Sequence, residues 1–223
     1  MTRTKLCDRV LPDYTKGEEL FNTLSHSAGA VFGIVALVTC LFVSITKGNY
    51  WSVTSASIYG ASLILLYTMS SLYHGLKNKM VKKVFQVIDH CTIYLLIAGT
   101  YTPVMLCSVR VVSPLWAWVI MGIVWGCAII ATVFTAIDLK RFAVFSMVCY
   151  IGMGWSVVLA INPTMKALPM EALLWILFGG IAYTLGAVLY GLGKKYRYMH
   201  STFHIFVLLG SILQYIGIIL YVL

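Results

Sequence analysis

A chain of 223 residues that is 61% hydrophobic and only 10% charged lies far outside the composition of soluble globular domains, which carry about a quarter charged residues and under half apolar ones. With a mean hydropathy of +0.91, disorder, collagen-like repeats, coiled coils and disulfide scaffolds are excluded. Sixteen Lys and Arg against seven Asp and Glu would suit a nucleic-acid binder, but these charges punctuate apolar windows and gather on one side of a membrane, so no nucleic-acid partner is expected.

Glu19 and Lys47 enclose 27 residues without a formal charge, Lys47 and Lys77 enclose 29, and Asp89 and Arg110 enclose 20. Arg110 to Asp138 encloses 27, Arg141 to Lys166 encloses 24, Glu171 to Lys194 encloses 22, and the last 26 residues follow Arg197 uncharged. About 20 mostly apolar residues cross a ~30 Å hydrocarbon core, and the cost of unpaired backbone groups excludes lipid-exposed loops there. Helices are expected near 25–46, 52–74, 86–107, 113–136, 142–161, 170–191 and 200–222. The fold class is all-α integral membrane, a seven-transmembrane helix bundle. Residues 1–24 form a tail and 25–223 a single membrane domain. The tail carries Asp13, Glu18 and Glu19 and no small-residue cleavage site, so it reads as a retained segment and not a signal peptide.

The basic residues set the expected orientation. Arg3, Lys5, Arg9 and Lys16 precede the first helix, and Lys77, Lys79, Lys82 and Lys83 fill the second loop. Lys140 and Arg141 lie in the fourth loop, and Lys194, Lys195 and Arg197 in the sixth. Only Lys47, Arg110 and Lys166 lie opposite. Thirteen against three places the N-terminus in the cytoplasm and the C-terminus outside, the reverse of G-protein-coupled receptors. No lysine follows Lys195, which disfavours a retinal Schiff base in the last helix.

All five histidines fall at the cytoplasmic ends of helices: His26, His74, His90, His200 and His204. Ionisable residues at membrane depth are costly and usually face the bundle interior at a site. His200 and His204 are i and i+4, so their imidazoles project from one face one turn apart and can bind one metal ion. His74 is the histidine at equal depth on another helix. Three neutral imidazoles with an open position make a catalytic-type zinc site. Asp89, at the same level, is a candidate general base, and Ser70, i−4 from His74, is placed to orient an imidazole or donate to an oxyanion. The bland alternative pairs Asp89 with a lysine of the second loop and leaves the histidines hydrated at headgroup level. His90 should point about 100° away from Asp89 and pack, while His26 should line the cytoplasmic mouth or cap the first helix. Asp138, beside Lys140 and Arg141, should be a solvated helix end.

Other features read as packing. Gly29/Gly33, Gly122/Gly126 and Ala182/Gly186 have the spacing of close helix contacts, and Pro103 should bend the third helix. The six cysteines show no CxxC spacing and mostly fall in apolar windows, so they read as small buried hydrophobes, with a pair between Cys40 and Cys107 near the outer face as the lesser alternative.

The ordered set Ser70-x3-His74, Asp89 and His200-x3-His204 resembles the signature of the progestin/adipoQ receptor and hemolysin III family, and of the wider superfamily that includes alkaline ceramidases. Supporting stretches are Glu18 to His26, Ile88-Asp89-His90 leading to Ala98-Gly99-Thr100-Tyr101-Thr102-Pro103, and His204 to Ser211. Short loops and tails resemble the bacterial branch. Ser25 and Ser201 depart from its common residues without touching a proposed ligand. The resemblance implies a Zn2+ ion held by His74, His200 and His204, Asp89 and Ser70 near a water, and N-in, C-out topology in a bacterial plasma membrane. Three functions are then expected to compete: zinc-dependent hydrolysis of a lipid amide or ester in lipid homeostasis, non-catalytic sensing of membrane lipids around a structural zinc, and pore-forming cytolysis. The last is physically disfavoured, because a pore needs a polar lining across the bilayer.

Overall fold

The computed structural model describes residues 4–193 and 195–223; Arg3 and Lys194, two of the thirteen basic residues counted above, lie outside the described residues. Among the described residues the chain is all helical, and seven helices are long and apolar enough to span a membrane. They are α1 (Lys16–Thr46), α2 (Tyr50–Gly75), α3 (Lys79–Val112), α4 (Pro114–Ile137), α5 (Ala143–Ala167), α6 (Met170–Leu192) and α7 (Met199–Tyr221). A 3-10 turn, Leu6–Asp8, precedes α1.

Two helices begin well before the apolar windows suggest. α1 starts at Lys16 because Thr15 closes a capping box: its hydroxyl accepts the Glu18 N–H at 3.2 Å, and its own N–H donates to Glu18 Oε2 at 2.8 Å. This satisfies two N–H groups that the helix would otherwise leave open. α3 starts at Lys79, where Asn78 Oδ1 accepts from the N–H groups of Met80 and Val81. The added turns are polar, so hydropathy alone misses them. Their consequence is that Glu18, Glu19 and Asn22 stand on a helix rather than in a tail.

Two spans are irregular inside. The nitrogen of Pro103 has no hydrogen to donate to the carbonyl four residues back, and the α-helix gives way directly after it to a π-helical stretch, Val104–Val109. The change in helical winding falls at the residue where the sequence predicts a bend. α5 is interrupted by a 3-10 segment, Ser156–Ala160. The Tyr101 hydroxyl of α3 spans this break, donating to the Gly154 carbonyl at 2.7 Å and accepting the Val157 N–H at 3.0 Å. One side chain therefore supplies the partners that the interrupted backbone lacks.

Neighbours in sequence pack together, α1 on α2, α2 on α3, α3 on α4 and α6 on α7, and contact of α1 with α7 joins the two ends of the chain. Gly29 and Gly33 face Tyr67 and Ile64 of α2 across a close contact, and Gly60 returns it against Leu37. Gly122 and Gly126 have open space where a side chain would go. Their spacing is therefore not a packing motif here. Tyr59, Leu63, Tyr94, Met105 and Ile120 fill the interior, while Val31, Val38, Phe42 and Ile129 point outward from their helices.

The alternative of a cysteine pair is not realised, and one other expectation is corrected. All six cysteines are free thiols, and Cys107 exchanges contacts with Ser52 and Ser55 instead of pairing with Cys40. Asp138 is buried rather than solvated: Oδ2 accepts the Thr4 N–H at 2.9 Å and Oδ1 the Arg141 N–H at 3.2 Å. Those bonds, the one from Thr4 foremost, hold its carboxyl down to about 2.

Candidate metal centre

His74 stands in the last turn of α2, and His200 and His204 occupy the first two turns of α7. The start of α7 is fixed by Tyr198, whose backbone is left-handed (φ 61°) and whose N–H donates to Glu18 Oε1 at 2.7 Å. The carboxylate that caps α1 through one oxygen thus anchors α7 through the other, and the two helix ends meet.

The three imidazoles converge. His74 Nε2 lies 3.4 Å from His200 Nε2, which lies 3.1 Å from His204 Nε2, and the three possible ligand atoms all fall within 4.8 Å of one another. Two nitrogens bound tetrahedrally to one zinc at ~2.05 Å stand about 3.3 Å apart. All three rings are buried. The donor set, nitrogen only and neutral at physiological pH, fits a borderline divalent cation.

Glu19 fixes the tautomer. Its Oε2 lies 2.7 Å from His74 Nδ1, and because a carboxylate can only accept, Nδ1 carries the proton and Nε2 presents a lone pair to the cluster. Lys82 donates to Glu19 Oε1 at 2.6 Å and to the His74 carbonyl at 3.1 Å. The Asn22 amide lies 3.4 Å from the same Nδ1. Lys82 is the second-loop lysine with a carboxylate partner, and that partner is Glu19, not Asp89.

Ser70 is buried on α2, and the Asp89 carboxyl on α3 is about seven-eighths buried. Among the described residues no hydrogen bond or ion pair joins Asp89 to His74, His200 or His204. Its nearest recorded imidazole is His90, at 3.9 Å. The structure therefore yields a histidine triad with Asp89 outside its hydrogen bonds. The ring centroid of Tyr73 lies 4.5 Å from that of His74, and the centroid of Tyr190 5.8 Å from that of His200.

Sequence reasoning passed over Tyr14, Glu19 and Asn22 and misplaced His26. Tyr14, just before α1, stacks on His200 with centroids 4.8 Å apart and 21° between planes. Burial, with the charges of nearby acidic groups, holds its phenol well above the usual range. His26 neither lines the mouth nor caps α1; it is buried, stacks on His204 at 3.7 Å and meets Tyr67 edge-on at 5.1 Å. Glu19, Asn22 and His26 stand at i, i+3 and i+7 of α1, the spacing of one helical face, and that was the available signal. His90 packs as expected: Nδ1 donates to the Gln86 carbonyl at 2.8 Å and Nε2 accepts from Tyr190 at 3.2 Å.

Fold and site together define a multi-pass membrane protein with a buried tri-histidine cluster at one end of its helix bundle. A family profile described as Haemolysin-III related matches residues 14–215. The chain is 38% identical to Hemolysin-3 of Bacillus cereus over 206 residues, 92% of each chain. It is 34% identical to the Hemolysin-3 homolog of Bacillus subtilis (strain 168) over 208 residues, 93% of this chain and 96% of the relative. A human relative, Monocyte to macrophage differentiation factor, is 25% identical over 206 residues, 90% of this chain and 83% of its own. The chain belongs to the haemolysin III family.

Proposed function

We propose that His74, His200 and His204 hold a zinc ion and that the protein acts on membrane lipid as a hydrolase of an amide or ester bond. The observation that carries this reading is the convergence of the three Nε2 atoms at 3.1 and 3.4 Å. The ion, when bound, supplies Lewis acidity toward a carbonyl oxygen and toward water. Glu19 keeps the proton on His74 Nδ1. Asp89 is the base that takes a proton from the attacking water at a carboxylate oxygen and returns it to the leaving group. Ser70 helps stabilise the developing oxyanion by donating to it. We further propose that this end of the bundle faces the cytoplasm of a bacterial plasma membrane, on the strength of the thirteen-to-three distribution of basic residues.

The test is fatty-acid release by purified, metal-loaded protein from ceramide-like and phospholipid substrates. Asp89→Asn should keep the metal and lose about 10²–10⁴-fold in rate, whereas His200→Ala should lose both. A metal-loaded protein without hydrolysis, or an Asp89→Asn variant as active as the parent, contradicts the hydrolase reading.

A second reading, a structural ion in a non-catalytic lipid sensor, draws on the aromatic rings of Tyr14 and His26 laid against two of the three imidazoles. It expects function to survive Asp89→Asn and to fail only in His200→Ala. The pore-forming action suggested by the relatives' name is disfavoured by the bulky interior of Tyr59, Leu63, Tyr94 and Met105.

A further inference from the structure

Two cavities meet at one side chain near the end of the bundle that carries the histidines. The first, about 460 Å³, lies between the segment before α1 and the α2–α3 connection, and Arg9, Lys77, Lys79, Lys82 and Lys83 contribute to its wall. Two carboxylates oppose them, Asp13 and Glu19, but Glu19 is already engaged by Lys82 at 2.6 Å and by His74 at 2.7 Å. Lys77 and Lys79 are exposed. The cleft is therefore strongly cationic. The second cavity, about 210 Å³, is a groove between α3 and α4, lined by Leu6, Val84, Val87, Ile88 and Ala136, with Arg9 at its polar end.

Arg9 belongs to both walls. It is 8% exposed, its Nη2 donates to the Ile137 carbonyl at 3.1 Å, and its Nε and Nη1 have no hydrogen-bond acceptor among the described residues. A buried guanidinium with unmet N–H groups is costly, and a phosphate oxygen is the acceptor that its fork geometry matches best. A basic cleft and an apolar groove that share Arg9 as a wall, at the rim of a membrane bundle, suit an amphiphile with an anionic head.

We propose that the two cavities form one binding site for an anionic phospholipid, its phosphate in the Arg9–Lys77–Lys79 cleft and an acyl chain in the groove between α3 and α4. Free inorganic phosphate has nothing to place in the groove, which is why the lipid is the chosen occupant. The site needs no metal, so it stands or falls apart from the hydrolase reading.

Native mass spectrometry of the full chain in detergent, titrated with phosphatidylglycerol or phosphatidylcholine, tests this. The anionic lipid should be retained at least tenfold more tightly than the neutral one. Lys77→Gln/Lys79→Gln, which changes only exposed side chains, should cut that preference about fivefold or more, and Arg9→Gln further. Val87→Trp, which fills the groove, should weaken the lipid but not inorganic phosphate. Chelator-treated protein should bind as well as metal-loaded protein. Equal retention of the two lipids, or a preference untouched by the double lysine variant, overturns the proposal. So does inorganic phosphate that binds as tightly as the lipid and is insensitive to Val87→Trp.

Discussion

Glu19 governs which nitrogen of His74 is turned toward the other two imidazoles. Its oxygens are divided between Nδ1–H and the Lys82 ammonium, so the ring is held in one tautomer and orientation before any ion arrives. Partners of this kind, one shell out from a ligand, are worth roughly 10–100-fold in metal affinity. Glu19→Ala should therefore weaken zinc binding by about that factor, with Glu19→Gln in between because its amide oxygen can still accept from Nδ1. Competition against a chromophoric chelator measures it, and an unchanged affinity in Glu19→Ala would show that His74 is oriented by other means. The triad itself was legible from the i, i+4 pair and the matching depth of His74. Glu19 was not, because a carboxylate at the edge of an apolar window reads first as the charge that ends the window. Tyr14 was hidden for a related reason: it precedes the helix, and only the tertiary fold lays it on His200.

Helix identity was easy to read and helix ends were not. Apolar length specifies each span, whereas Thr15 and Asn78 decide where α1 and α3 begin through a few hydrogen bonds. The interruption of α5 escaped notice because its segment is apolar throughout; the bonds to Tyr101 that accommodate it come from another helix. Glycine spacing was likewise ambiguous, and the structure separates the cases. A Cβ at Gly60 would come within 2.6 Å of Leu37, while one at Gly122 meets nothing within 4 Å. Gly60→Ala should destabilise the α1–α2 pair by about 1–3 kcal/mol through overpacking. Gly122→Ala should be neutral or stabilising by up to about 1 kcal/mol, since alanine costs less backbone entropy in a helix. Denaturant unfolding in mixed micelles compares them, and equal effects would refute the packing argument.

At the scale of the whole molecule, contact between α1 and α7 brings residues nearly two hundred positions apart to one end of the bundle. Glu18 to Tyr198 and His26 to His204 are its polar and aromatic stitches. The charge distribution predicts that this end is cytoplasmic. Cys7, exposed before α1, should then react with a membrane-impermeant maleimide in inverted vesicles and not in intact cells; labelling from outside would reverse the orientation. The account as a whole depends on three side chains from two helices sharing one cation. Its most direct test is the metal content and zinc-edge anomalous signal of purified protein, compared with His204→Ala. One zinc per chain, with a single anomalous peak among the Nε2 atoms of His74, His200 and His204 that vanishes in the variant, is the predicted result. A parent protein that binds no metal, or whose metal persists undiminished without His204, would contradict it.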